Sequence, residues 1–165
     1  ALPLPLGAES QCESFDFRLT EEIGYEEVCE RLNAALPNEL RALHAAAPVM
    51  EPGNICWADY QLSFYDKDPA AGEALDRLLA AEHLPVRKKT KKGEQEIDLK
   101  EKMTIRNVIR TADKLVLEVR LPAGGTQNWS PMLLTGAYNE LLGREPYWTG
   151  ITRTAILAED FQDFC

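Results

Sequence analysis

The sequence lacks the closely spaced cysteines that metal centres usually need. No two of its four cysteines form a Cys-x-x-Cys pair: Cys12, Cys29, Cys56 and Cys165. Structural zinc sites and iron–sulfur clusters are usually held by ligands that lie a few residues apart. Only two histidines, His44 and His83, are present to add ligands. We therefore predict no metal site and no cofactor, and we interpret the cysteines as free thiols.

Long apolar runs are also missing. No stretch approaches the roughly 20 apolar residues that a membrane span needs, so no membrane partner is predicted. The apolar start, Ala1–Gly7, is short, contains proline and has no basic region, which is not the pattern of a signal peptide. Because no methionine opens the chain, we interpret the start as a position inside a longer domain. We expect the protein to be cytoplasmic.

A recognisable catalytic constellation is absent too. His44 and His83 have no acidic partner at a diagnostic spacing. Ser63 and Ser130 lack the surroundings of a nucleophile elbow. We predict no catalytic residue in this chain, and the pattern favours a protein without catalytic activity of its own.

Positive charge is scarce, and it is concentrated in one place. The 165 residues carry 27 acidic and 18 basic side chains, and five of the basic ones fall within six consecutive positions: Arg87, Lys88, Lys89, Lys91 and Lys92. A single cationic patch on an anionic body can steer one polyanion or one acidic partner to one place.

The apolar pattern predicts an α+β fold. Residues alternate over Glu13–Leu19 and again around Tyr60, Leu62 and Phe64, as in half-buried strands. Helical spacing follows each of these segments, and Asp68-Pro69 is a strong helix start. We predict two split-βαβ, ferredoxin-like sheets with helices on one face. The predicted domains are 1–50, with strands at Glu13–Leu19 and Leu40–Ala47, and 55–165, with hairpins and a terminal helix and strand; the two can also form one compact domain.

The basic stretch is predicted to lie on a β-hairpin that turns at Lys92-Gly93. One interpretation is phosphate contact, because lysine and arginine on an exposed hairpin release counterions from a nucleic acid. The other is a solvated edge that lysines protect against aggregation. Glu94, Glu96 and Asp98 on the return strand favour the second interpretation, since cross-strand pairing would neutralise part of the patch.

Two further residues are candidates for contact with a nucleic acid. Trp129 lies in a glycine-containing loop before the helix start Ser130-Pro131, so it either stacks on a base or covers the helix end. Arg153 is the one charged residue of an otherwise neutral terminal strand, so it either pairs with a carboxylate or grips a phosphate.

Several segments together resemble the uncharacterised radical SAM-linked protein family, whose members are fused to, or encoded beside, radical SAM proteins. The resemblance covers essentially the whole chain and is carried by Leu4–Ser10, Glu13–Phe17, Val28–Pro37, Lys88–Gly93, Ile97–Leu99 and Ile151–Thr154. Relatives carry a further N-terminal segment before the Leu-Pro-Leu-Gly motif, and their glycine-containing loop is commonly more basic than Gln127–Trp129. The resemblance implies an accessory role, and any radical chemistry would belong to the partner.

Three functions stay open at this point. The first is a non-catalytic accessory domain that binds RNA through the basic hairpin, for a radical SAM protein. The second is a protein-interaction module that docks on that radical SAM protein. The third is an enzyme whose site needs the N-terminal segment found in relatives.

Overall fold

The computed structural model describes residues 2–90 and 93–164. Its helices and strands are β1 Glu9–Ser10, α1 Tyr25–Ala35, β2 Trp57–Tyr65, α2 Pro69–Ala80, β3 Pro85–Thr90, β4 Gly93–Asp98, β5 Thr104–Arg110, β6 Lys114–Pro122, α3 Met132–Leu142 and β7 Trp148–Leu157. The chain divides into two compact units. One combines the residues up to Glu13 with Pro52–Phe164, and the other is Ser14–Glu51.

The first unit is built on a five-stranded sheet in the order β1-β7-β2-β6-β5. Strand β1 pairs with β7 in parallel, and the other neighbours are antiparallel. Helix α2 connects β2 to β5, with β6 between them, and α3 connects β6 to β7, with β2 between them. This strand–helix–strand–strand–helix–strand order is the split-βαβ arrangement. The predicted α+β class is confirmed.

The core of this unit lies between one face of the sheet and helices α2 and α3. Leu62 and Leu117 stand opposite each other in register and are fully buried with Leu75 of α2 and Leu134 of α3. The rings of Phe64 and Tyr138 stack with their centroids 4.2 Å apart. Because side chains alternate along a strand, Asp59, Gln61 and Tyr65 project from the opposite face. The alternation read from the sequence thus places this core correctly.

Helix α2 begins as the sequence predicts. Asp68 is its N-cap and accepts a hydrogen bond from the backbone N–H of Ala70 at 3.0 Å, and Pro69 occupies the first turn. Arg144, after α3, donates to both Asp66 and Asp68. These ion pairs fasten the β2–α2 loop to the chain that follows α3.

The Arg144 contact predicts a pH dependence of stability. The hydrogen bond from Arg144 holds the pKa of the Asp66 carboxyl below its usual value, against the opposing effect of burial. The ionised carboxylate therefore stabilises the fold above the unfolded pKa of about 4, and this contribution is lost as pH falls through the folded pKa. We expect Asp66→Asn to be less stable than the natural protein at pH 7, with the gap narrowing below about pH 4. Urea unfolding of both proteins across this pH range measures their free energies of unfolding. A difference between them that stays constant or widens in acid would contradict the expectation.

The second unit, Ser14–Glu51, contains α1 and is otherwise irregular in secondary structure. The strands predicted at Glu13–Leu19 and Leu40–Ala47 are not formed. The phenyl rings of Phe15 and Phe17 stack on each other, 5.4 Å between centroids, instead of alternating across a sheet. An alternating segment becomes a strand only when a neighbour pairs with its backbone, and sequence spacing does not supply that neighbour. The domain limits 1–50 and 55–165 stay a prediction.

Candidate anion-binding cleft

The described part of the basic stretch lies on a two-stranded hairpin, as predicted; the predicted turn at Lys92-Gly93 lies partly outside the described residues. Strands β3 and β4 pair antiparallel from Pro85↔Asp98 to Thr90↔Gly93. Arg87, Lys88 and Lys89 lie on β3 and are exposed or half-buried, whereas Lys91 and Lys92 fall outside the described residues. We call the hairpin Pro85–Asp98 the basic hairpin.

The two faces of the basic hairpin differ. Val86 stands opposite Ile97, and both pack against the hydrophobic core. The alternate positions are charged, with Arg87 opposite Glu96 and Lys89 opposite Glu94. Val86 and Ile97 therefore anchor the hairpin to the domain, while Arg87 and Lys89 project from the other face. Lys88, which stands opposite Gln95, lies on the same face as Val86.

Asp98 fixes the base of the basic hairpin. Its carboxylate accepts from the backbone N–H of Leu84 at 2.8 Å and of Lys100 at 2.9 Å, and lies 2.6 Å from Nδ1 of His83. The pKa of this carboxyl is lowered, chiefly by the hydrogen bond from Leu84 and then by the one from His83. His83 thus has an acidic partner that sequence spacing did not show, because the two residues are 15 positions apart.

A cleft of about 380 Å³ separates the basic hairpin from the start of α3. Arg87, Lys88 and Lys89 line one side. Asn128, Ser130 and Leu133 line the other. We call this space the hairpin cleft. The fold therefore brings together two segments that the sequence singles out separately, the basic stretch and the loop before the last helix.

The cations of the cleft form no direct ion pair with a described carboxylate. Among the residues that the structure describes, no carboxylate lies within 4.0 Å of a charged nitrogen of Arg87, Lys88 or Lys89. Glu94 and Glu96 stand opposite in register but form no such ion pair. The cross-strand neutralisation that favoured a purely solvated edge thus does not take the form of direct ion pairs here.

The opposite wall adds polar groups and a favourable helix end. Ser130 Oγ accepts from the N–H of Met132 at 3.3 Å, and the Ser130 carbonyl accepts from the N–H of Leu133 at 3.0 Å. The N-terminal end of a helix carries partial positive charge, which favours an anion placed there. This wall therefore adds to the positive potential that the three cations create in the cleft.

Trp129 lies next to the cleft wall, but its side chain points elsewhere. The residue is 2% exposed and belongs to the hydrophobic core, and its backbone N–H donates to the Pro122 carbonyl at 2.9 Å. Of the two interpretations made from sequence, this placement favours the one in which the indole covers the helix end. Stacking on a base would require the ring to leave the core.

Arg153 is buried at 0% exposure and its guanidinium is engaged within the protein. It donates to Glu13 Oε1 at 2.6 Å, to the Leu2 carbonyl at 3.2 Å and to the Pro3 carbonyl at 2.7 Å. Its Nε lies 3.4 Å from the Tyr60 hydroxyl. The placement favours the structural interpretation, in which Arg153 fastens the N-terminal segment to the sheet, and does not bring this residue to the hairpin cleft.

The described residues show neither a metal-binding cluster nor a membrane-spanning helix. No group of three or more His, Cys, Asp and Glu side chains within 2–90 and 93–164 is arranged to hold a metal ion. Over the same ranges, no helix has the length and apolarity to cross a bilayer. The sequence did not point to Asn128 and Leu133 as cleft residues, although the glycine-containing loop and the helix start at Ser130-Pro131 marked their neighbourhood.

Comparison with known proteins places the chain in a family. No curated protein and no solved structure matches it significantly. One family matches residues 1–131, which include the basic hairpin and end at the start of α3. The chain thus belongs to the family described as "Uncharacterized protein conserved in bacteria (DUF2344)".

Proposed function

We propose that this chain is a non-catalytic accessory domain that binds RNA at the hairpin cleft and serves a radical SAM protein. The observation that carries the proposal is a cleft beside the N-terminal end of α3 that is lined by Arg87, Lys88 and Lys89. These three cations form no ion pair with any residue that the structure describes. Lysine and arginine that bind a polyanion release the counterions condensed on its phosphates. A cluster of these side chains therefore gives affinity without recognition of the bases.

The positive charge of the basic hairpin contrasts with the acidic remainder of the chain. Outside the six positions 87–92 the sequence carries 13 basic and 27 acidic residues. The net negative charge of the rest of the chain opposes a polyanion, which favours its approach at the basic hairpin. The link to a radical SAM protein rests on the sequence resemblance alone.

A second candidate function is a protein-interaction module. Ser14–Glu51 exposes large apolar side chains, among them Phe15, Leu43 at 83% and Val49 at 80%. The same segment carries eight acidic and three basic residues. Exposed apolar groups within an acidic segment suit docking on a basic partner protein, and the radical SAM protein is the partner we propose in that case.

The RNA proposal is tested by removing the charges of the basic hairpin. We expect the variant with Lys88, Lys89, Lys91 and Lys92 replaced by glutamine to bind a single-stranded oligonucleotide more weakly at about 50 mM salt, by about tenfold for each phosphate that it no longer binds. Its fold stability should change little, because exposed charges contribute little to stability. Fluorescence anisotropy with a labelled oligonucleotide measures the affinity.

The control variant removes four exposed cations elsewhere: Arg18, Arg41, Lys67 and Arg106, each replaced by glutamine. It has the same net charge as the hairpin variant, so it should retain nearly the natural affinity if the effect is local. Equal losses in the two variants, or no loss in either, would reject the cleft as the RNA site. Absence of RNA binding by the natural protein would leave the docking function as the better proposal.

A further inference from the structure

A second surface feature of the sheet unit lies beyond the C-terminal end of α3. Trp148 opens β7 and stands directly opposite Tyr65 of β2, which in turn stands opposite Lys114 of β6. By strand alternation these three side chains project from the sheet face opposite to Leu62 and Phe64. We call Tyr65, Lys114, Trp148 and Gly150 together the Trp148 patch.

The aromatic groups of the Trp148 patch are in contact. The rings of Tyr65 and Trp148 have their centroids 4.9 Å apart, with an angle of 64° between their planes. Lys114 Nζ lies 5.1 Å from the centroid of the Tyr65 ring. Edge-to-face packing of this kind holds the indole against the phenol, so the indole loses little freedom when a ligand binds.

The indole of Trp148 packs over Gly150. A Cβ atom at this position would lie 2.6 Å from Trp148 Cζ3 and would also overlap Cη2. The six-membered ring therefore lies over the Gly150 backbone, where a side chain would otherwise stand. Trp148 is nevertheless 56% exposed. One side of the ring is supported by the sheet, and much of the remainder is available to solvent.

A supported, exposed indole favours a planar ligand. Bases of single-stranded nucleic acids stack on such side chains with little dependence on sequence, because every base has a π face. Lys114, whose Nζ lies over the Tyr65 ring, adds a positive charge on the Tyr65 side of the patch that can meet a phosphate of the same strand. Arg144, which lies 5.9 Å from the ring of Tyr147, is already engaged by Asp66 and Asp68, so Lys114 is the cation that we assign to this contact.

We propose that the Trp148 patch is a stacking site for a nucleobase of single-stranded RNA. The proposal rests on the proposed function, because it adds a base contact to the phosphate contacts of the hairpin cleft. The Trp148 patch projects from the sheet face opposite to the one that packs against α3, so a strand that contacts both sites passes around an edge of the sheet. An oligonucleotide of about 12 residues, within the range that single-strand binding folds occupy, suits a test of both sites.

The test compares two probes of equal charge: a uridine oligonucleotide of about 12 residues and an abasic phosphodiester of the same length. We expect Trp148→Ala to weaken binding of the uridine probe by about fivefold to a hundredfold, and to leave the abasic probe unchanged. Trp148→Phe should recover much of the loss, because a phenyl ring also stacks. Trp57→Phe is the matched control and should bind both probes as the natural protein does.

Each outcome supports or overturns a defined claim. Equal effects of Trp148→Ala on the two probes, or no effect on either, would overturn the stacking site. If glutamine substitution of the basic hairpin changes neither probe while Trp148→Ala still weakens only the uridine probe, the cleft proposal fails and the stacking site stands. If Trp148→Ala does not fold, tryptophan fluorescence provides the test. The uridine probe should quench the fluorescence of the natural protein more than that of Trp148→Phe. Equal quenching of the two proteins would overturn the site.

Discussion

Replacing Arg153 with methionine is expected to lower the free energy of unfolding by about 3 kcal/mol, because breaking a buried ion pair leaves polar groups without partners. The guanidinium donates to Glu13 and to the carbonyls of Leu2 and Pro3 within a sheet unit that otherwise excludes water from this position. Methionine fills part of the volume but donates no hydrogen bond. Glu13 is partly exposed and regains water, which limits the loss.

Denaturant unfolding measures this change, and Arg106→Met is its control. Arg106 is exposed on the edge strand β5, so its replacement should alter stability by no more than about 0.5 kcal/mol. We also expect the Arg153 variant to release the N-terminal segment, which faster hydrogen exchange at Glu9 and Ser10 would show. A loss below about 1 kcal/mol would mean that the buried guanidinium contributes far less than such pairs usually do.

Replacing Gly124 with alanine is expected to cost about 3 kcal/mol or more, through backbone strain and a steric overlap together. Gly124 has φ +119°, a conformation that residues with a side chain rarely adopt. An added Cβ would also overlap the carbonyl oxygen of Ile55 and lie 3.1 Å from its carbonyl carbon. Since both atoms belong to the backbone, relief requires movement of the chain before β2.

Gly125→Ala is the matched control, because its added Cβ meets no atom within 4 Å and its φ is not positive. Gly124 opens the loop that ends at Asn128, so the first variant should also weaken RNA binding at the hairpin cleft. Equal stability of the two alanine variants in thermal unfolding would show that the loop adapts freely and does not set the position of the cleft wall.

The fold of the sheet unit could be predicted where local pattern and tertiary environment agree. The alternation of Tyr60, Leu62 and Phe64 matches a strand that buries one face, and Asp68-Pro69 starts a helix through contacts that are local in sequence. The strands of the basic hairpin are neighbours in sequence, Pro85–Thr90 and Gly93–Asp98. In each case the interactions that determine the structure lie within a few residues of the pattern that predicts it.

Where the sequence pattern did not decide the structure, the deciding interactions lie far apart in the chain. Phe15, Phe17 and Leu19 alternate as a strand does, but no neighbouring strand pairs with them in the described chain. Arg153 and Trp129 are charged or amphipathic residues whose burial depends on distant partners, such as Leu2 and Pro3 at the other end of the chain. The hairpin cleft is formed by segments about 40 residues apart, and the spacing of residues in the sequence does not predict that they come together.

The salt dependence of RNA affinity tests the central proposal most directly. If about three phosphates contact the basic hairpin, the logarithm of the association constant should fall with the logarithm of salt concentration with a slope of about −2 for a single strand. The variant with Lys88, Lys89, Lys91 and Lys92 replaced by glutamine should give a slope much closer to zero. A flat dependence in the natural protein, or the same slope in the natural protein and the variant, would contradict RNA binding at the hairpin cleft.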